Sequence, residues 1–466
     1  MHNPVMLNAL ICLRLPFLLL WEGVEIDTFH EIADPEDIMC AQPYLIAPES
    51  LPPRVRYEQL FSELPEISSA RRPGPGRRPV SPDSLLKALI YKSLRRFATL
   101  SDLVFDLNCN PAMGAAVGFG PERRIPSVQR FSVFLRDTYN QKLQAVRGEL
   151  VARLQSQGVI SGTVLSIDSC PIVAPLKENN LKTSLRRKRF DKIHPPKGDP
   201  EAGVGIICHF PVPGKKDVSW FWGYRNHVMN DALSELPIWE ITHPANVSDL
   251  PPCRVALHWA KETFNKSVEA FTADAEYDSE DILKFIIEEL RAEAVVPKNP
   301  RNKQSTEHTI RGKDVFCAAE LPMAHRGKMT DKKTGITYRI YSCPLYWRKK
   351  VQQQHLFCPA QHPKYFSQKG CNVLIRLSPT VRSQIPYGTE QFKKIYNKRT
   401  GSERGFSRLL AIASQEPTVR GLNATRNHVT VAHIAVLLIA SVAHRDGHTD
   451  QMRFVRSYVP NSLTQK

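Results

Sequence analysis

Acidic residues are in short supply in this chain: 46 Asp and Glu stand against 63 Lys and Arg in 466 residues, leaving a net charge of +17. A chain this basic repels itself, so it calls for a polyanionic partner, and nucleic acid is the commonest one. Closely spaced cysteine pairs are missing too. The ten cysteines form no Cys-x2-Cys or Cys-x4-Cys unit, which argues against a secreted disulfide framework. Cys109, Cys170, Cys208 and Cys253 are isolated in apolar or strand-like settings and read as buried thiols of a reducing cytosol. The apolar run Leu7–Trp21 has no Lys or Arg ahead of it, carries Arg14 inside it and is followed by no small-residue cleavage site. It is too short for a bilayer and unlike a signal peptide, so residues 1–50 read as a poorly structured extension of a protein without a membrane role. No internal repeat occurs at solenoid spacing. An apolar fraction of 42% and a charged fraction of 23% are those of an ordinary globular protein.

Residues 51–155 read as helical and basic. The arm Arg71–Pro79, with Arg77 and Arg78, leads into Ser81-Pro82-Asp83, a helix start with proline in the first turn. Leu85, Leu86, Leu89, Ile90 and Leu94 follow at helical spacing, and further helices are expected from Ser101 and from Ser127, the latter with Val128, Phe131, Phe134 and Leu135. Short helices beside a cationic arm suit a helix-turn-helix-like DNA-binding domain; a plain helical bundle with a solvated arginine linker is the alternative. From 156 to 298 strands alternate with helices. Strands are expected at Thr163–Ile167, Val218–Met229, Pro237–Thr242, Val268–Asp274 and Ala294–Pro297, and helices at Arg254–Thr263 and Ser279–Arg291. That order predicts a mixed α/β sheet with flanking helices. A cationic loop holding Arg186, Arg187, Lys188 and Arg189 follows the first strand, and is a candidate DNA contact. Residues 299–388 interrupt the pattern as an insertion. Helices at Gln391–Ala413 and His428–Ala443 complete the catalytic part over 389–445, and 446–466 is a tail.

Three acids carry the chemistry. Asp168 and Asp274 stand in strand-like contexts, and Glu403 belongs to a helical stretch with Tyr396 and Arg399 at i, i+3 and i+7, which share one face of a continuous helix. Two Mg²⁺ (or Mn²⁺) ions roughly 3.5–4 Å apart can activate an attacking oxygen and stabilise a leaving one at a phosphodiester. Such ions require hard oxygen ligands, so Asp, Asp and Glu suit them better than His or Cys. Arg399 and Tyr396 are placed to contact phosphate, and Arg404 and Arg408 add charge nearby.

The chain resembles the DDE transposases of bacterial insertion sequences. Tyr396, Arg399 and Glu403 match the spacing of that family's Tyr-Arg-Glu signature, although its lysine position is Leu410 here. Ser166-Ile-Asp168-Ser169 is similar to the first-aspartate strand. Ala273-Asp274-Ala-Glu-Tyr277-Asp278 is similar to the second, and Gly223–His227 and Thr242–Asp249 to motifs between them. The segment from Leu60 to Asp137 is similar to the family's N-terminal helical domain. The resemblance implies a ribonuclease-H-like catalytic domain with Asp168, Asp274 and Glu403 as catalytic metal ligands. It further implies metal-dependent cleavage at transposon ends, strand transfer into target DNA, a homodimer in the assembled complex and a cytoplasmic, nucleoid-associated location. Asp278 is expected to cap the helix after it, and His227 to face the site or DNA or to be structural. A domesticated, inactive DNA-binding relative and another ribonuclease-H-like nuclease remain alternatives. In the insertion, Cys317, Cys343, Cys358 and Cys371, with His355 and His362 nearby, could hold structural Zn²⁺. Their spacing argues instead for free thiols.

Overall fold

The computed structural model describes residues 53–67, 79–120, 124–180, 191–212, 215–300, 308–312, 314–332, 335–347, 358–366, 371–377 and 379–458. The expectations for residues 1–50, for Arg77 and Arg78, and for Arg186, Arg187, Lys188 and Arg189 fall outside them, as does His355.

The N-terminal part folds as α1 (Pro53–Ser62), α2 (Pro82–Arg95), α3 (Leu100–Cys109), α4 (Pro111–Ala116), α5 (Val128–Asp137) and α6 (Asn140–Ser156). Pro82 opens α2 as expected, but the Ser81 side chain makes no capping bond. Asp83 instead accepts the Ile67 amide at 2.7 Å, tying the preceding segment down. Thr99 and Asp102 form a reciprocal capping box on α3. Leu86, Ile90 and Leu94 are fully buried on the inner face of α2.

Next come β1 (Val164–Val173), β2 (Gly203–Val212), β3 (Lys215–Asp231), β4 (Leu236–Pro244), α7 (Leu250–Phe264), β5 (Ala270–Thr272), α8 (Glu280–Lys284) and β6 (Glu293–Val295). The sheet runs β2-β3-β1-β5-β6, with β4 also paired to β3. The β1–β3 and β3–β4 pairs are antiparallel, whereas β1–β5 and β5–β6 are parallel. Four antiparallel strands, β1 to β4, followed by two parallel ones, each reached through a helix, form the ribonuclease-H-like fold. Sequence reasoning missed β2, which pairs with the N-terminal half of the long β3. Gly223 lies where both pairings meet: a Cβ there would stand 2.2 Å from the Ile172 carbonyl oxygen. Only glycine permits β1 to lie so close.

The insertion contains a hairpin, β7 (His308–Arg311) with β8 (Asp314–Cys317), and a sheet of β9 (Ala324–Thr330), β10 (Thr337–Ser342) and β11 (Asn372–Arg376). Helices α9 (Glu390–Asn397), α10 (Thr400–Ala411) and α11 (Leu422–Arg445) return the chain to the main body. One helix was expected over Gln391–Ala413, but the chain turns between α9 and α10. Thr400 Oγ1 takes up the Asn397 carbonyl at 2.8 Å, and Gly401 follows it, so both residues favour a break.

Helix α11 packs on α2, α5, α6 and β4. Leu437, Leu438, Ile439 and Val442 are buried in it, as their spacing suggested. One continuous apolar core joins Tyr57 of α1 to Tyr458 near the C-terminus, so helical segment and sheet are packed as a unit. At this junction the buried Glu240 accepts from Thr430 Oγ1 at 2.7 Å and from Asn226 Nδ2 at 2.8 Å. Among the described residues α11 alone is long and apolar enough to cross a membrane, and 89% of its most apolar window is buried inside the protein. Of the four cysteines expected to be buried, Cys170 and Cys253 are, whereas Cys109 and Cys208 are exposed.

Candidate active site

Asp168 lies in β1 opposite Val228 of β3. Two residues before it, Ser166 is in parallel register with Thr272 of β5, and Asp274 stands two residues beyond Thr272. The two-residue period of extended chain places both aspartates on one face, where β1 and β5 part. Helix α10 crosses that face. Ser402 Oγ lies 2.8 Å from Ser166 Oγ and accepts from Asn230 Nδ2 at 3.2 Å. Glu403 follows Ser402 directly.

Arg399, at the turn between α9 and α10, joins the first acid to the third. Its Nη1 donates to Asp168 Oδ2 at 3.3 Å and its Nη2 to Glu403 Oε1 at 2.9 Å. The guanidinium carbon also sits 5.6 Å from the centre of the Tyr396 ring. Tyr396 and Glu403 thus lie on two successive helices rather than one, and Arg399 connects them.

Burial pushes the Asp168 carboxyl up to about 6; the Ser169 amide opposes this, the charge of Asp274 adds to it, Arg399 opposes it and Asp249 adds again. The Asp274 carboxyl is raised as well, first by burial and then by the charges of Glu276 and Asp249, against the Glu276 amide and Arg399. Carboxylates crowded with little compensating cation are poised to accept one, and their oxygens are the hard donors that divalent ions require. Among the described residues no three His, Cys, Asp or Glu side chains stand close enough to hold a metal ion as they are placed. Glu403, 58% exposed, is turned to Arg399 rather than to the aspartates.

Residues 163–438 match the family described as Transposase DDE domain, and residues 51–137 match a second family described as a transposase domain. The first match covers more than half of the chain. The chain belongs to the DDE transposases. It is a DNA transposase, an enzyme that cuts DNA and transfers strands, and its family uses divalent metal ions. No curated protein sequence matches the transposase. Among solved structures, it is similar to a piggyBac transposase in a synaptic complex with hairpin DNA, at 13% identity over 91% of this chain and 81% of that chain. The TM-score of 0.34 is too low for that likeness to bear on the assignment.

Other parts of the transposase depart from the sequence reading. Arg404 and Arg408, expected at phosphate, are both committed to Glu235 in the β3–β4 turn. Arg404 Nε donates to Glu235 Oε1 at 2.9 Å, Arg408 Nη1 to the Glu235 carbonyl at 3.1 Å, and both guanidinium groups form further short contacts with that carboxylate. Side chains four residues apart on α10 lie side by side, so one buried acid reaches both the exposed Arg404 and the largely buried Arg408. Asp278 does not cap α8: it accepts the Asn299 amide at 2.9 Å and Arg382 Nε at 2.8 Å. His227, for which a structural place was one of the expectations, is fully buried, with Nδ1 3.3 Å from Asp249 Oδ1.

Asp249 was not singled out from the sequence, yet it stands behind the two aspartates. It accepts from Ser169 Oγ at 3.0 Å and Arg225 Nη1 at 3.3 Å. Burial would raise its carboxyl, but His227, Arg225 and Ser169 together hold it below the usual range. Its only sequence signal was its position at the end of the Thr242–Asp249 motif. Leu410, where the family signature has lysine, is 45% exposed.

Proposed function

We propose that Asp168, Asp274 and Glu403 are the catalytic acids and hold two Mg²⁺ or Mn²⁺ ions, and that the substrate is double-stranded DNA at the ends of a mobile element. The observation that carries this reading is the double hydrogen bond of Arg399 to Asp168 and Glu403, which ties the α10 acid to the first strand aspartate through one guanidinium. Bound cations would supply the positive charge that activates an attacking oxygen and stabilises the leaving one. The chain's own residues do the positioning. The Ser166–Ser402 bond fixes α10 across the sheet, and the Asp249–Ser169 bond anchors the strand beside Asp168. Arg399 exchanges its carboxylates for a DNA phosphate when cations and substrate arrive, with Tyr396 supporting the guanidinium from below. A homodimer joins two ends in the assembled complex, and a cytoplasmic, nucleoid-associated location fits such a substrate.

The test is cleavage of labelled duplexes carrying the terminal inverted repeats that bracket the gene. Mg²⁺ or Mn²⁺ should support nicking, and EDTA should stop it. Asp274→Asn and Glu403→Gln should each stop it too while leaving retention of the duplex in a gel-shift assay nearly unchanged. Normal cutting by Asp274→Asn would remove that residue from the site.

Arg399 gives a prediction of opposite signs. Because its charge competes with cations for Asp168 and Glu403, Arg399→Ala should bind Mn²⁺ about three- to tenfold more tightly, as expected for loss of an ion pair worth about 1 kcal/mol. Strand cleavage should fall nonetheless. Electron paramagnetic resonance of free Mn²⁺ measures the first change and duplex nicking the second; weaker Mn²⁺ binding would show that Arg399 supports the acids rather than competing for them.

A further inference from the structure

We infer that the insertion subdomain is built around a structural zinc ion held by Cys317, Cys343, Cys358 and Cys371. The four residues come from four separate places: the end of β8, the end of β10, the segment before Pro363 and the residue before β11. They nevertheless line one cavity of about 20 Å³ together with His362, a space just large enough for a single water-sized particle.

The backbone around these thiols repeats. After Cys317, the Glu320 amide donates to the Cys317 carbonyl at 2.9 Å and Glu320 takes a left-handed φ of 57°. After Cys358, the Gln361 amide donates to the Cys358 carbonyl at 2.9 Å and Gln361 takes a φ of 46°. Two equivalent tight turns, each opened by a cysteine, thus face one cavity. The other two cysteines are held across the sheet, with the Cys343 amide donating to the Cys371 carbonyl at 2.9 Å. His362 Nδ1 lies 3.3 Å from Cys371 Sγ, in position to orient a thiolate.

The subdomain also needs such a staple. Its own core is Val315, Met323, Tyr341 and Val373, too few apolar side chains to order two small sheets unaided. Cys317, Cys343 and Cys358 are free thiols, and soft sulfur donors select zinc over the hard ions that carboxylates prefer. The sulfurs are not yet at coordination distance from a common point. The inference therefore requires the cavity to contract until each sulfur reaches about 2.3 Å from the ion. The wide spacing of these cysteines argued for free thiols in the sequence, because chain segments far apart supply the corners of the site.

Full-length protein purified without added metal should contain about one zinc per chain by elemental mass spectrometry. Cys317→Ser combined with Cys358→Ser should lose nearly all of it. Should that variant fail to fold, wild-type protein stripped of zinc and titrated with Co²⁺ gives an independent reading. Four thiolates around Co²⁺ produce intense sulfur-to-metal charge-transfer absorption and tetrahedral visible bands, which Co²⁺ on the catalytic carboxylates cannot produce. Asp168→Asn should leave this spectrum intact, so failure of the catalytic assignment and failure of the zinc site are separable. Wild-type protein with no zinc and no thiolate band on Co²⁺ addition, or with these cysteines joined in disulfides by intact-mass analysis, overturns the inference.

Discussion

Asp168→Asn is expected to lower DNA cleavage by about a thousandfold or more while making the metal-free protein more stable. The first effect follows from losing a cation ligand, since the charge stabilisation that a bound ion supplies at the reacting phosphate is worth several kcal/mol. The second follows from the cost of keeping this carboxylate ionised. Its carboxyl titrates near 6 instead of at the ordinary 3.8, chiefly because it is buried. The folded state therefore binds the proton more tightly than the unfolded chain, so stability falls as pH rises from about 4 to about 6 and stays low above that. A shift of about two pH units corresponds to at most about 3 kcal/mol. The amide can keep the contact with Arg399 while removing the charge that Asp274 and Asp249 oppose. Thermal unfolding in EDTA at about pH 7.5, roughly one and a half units above the titration near 6, should give a higher midpoint for the variant, and the difference should shrink toward pH 4. Added Mn²⁺ should raise the wild-type midpoint but not the variant's. A lower midpoint for the variant at neutral pH would mark Asp168 as a structural acid instead.

Glu235→Gln should destabilise the fold strongly, because it removes the charge of a buried acid that holds several arginines. Glu235 is only 6% exposed in its side chain and receives Arg404, Arg408 and Arg453. Arg408, itself 14% exposed, would be left buried beside an uncharged amide. Removing one partner from such a cluster costs about 3 kcal/mol, more than the pair contributes relative to apolar packing, because the remaining charge is stranded. Glutamine retains the shape and tolerates the left-handed φ of 59° as well as glutamate does. Despite burial, the hydrogen bonds from Arg404 and Arg408 hold the Glu235 carboxyl below its usual range. The stability it contributes is thus present at neutral pH and is lost as pH falls through that depressed value. Urea unfolding should show the midpoint drop at pH 7, and a drop of under about 0.5 kcal/mol would place these arginines among ordinary surface ion pairs. Because Glu235 anchors α10, the helix of Glu403, the same change should reduce cleavage by loosening the third acid.

Much of this was written in local chemistry. The alternation of apolar residues set β1, β3, β4, β5 and β6, and the two aspartates were visible because short strand-like runs ended on them. Tyr396, Arg399 and Glu403 were visible because their spacing is that of successive helical turns. Nothing local revealed the rest. Strand β2 escaped because its residues Gly203–Val212 alternate weakly and are half-exposed where described. The break between α9 and α10 turned on a threonine hydroxyl competing for a carbonyl.

The amino-acid order by itself determined the fold class and the basic character and nominated the three acids, since each depends on side-chain type and short-range period. Tertiary structure alone decided which charges meet. Asp249 reached the aspartates through its hydrogen bond from Ser169 of β1, Glu235 captured Arg404 and Arg408, and four scattered cysteines came to share one cavity. Coulomb and coordination forces act over a few ångströms of space, and only the folded chain fixes which distant residues lie within that range.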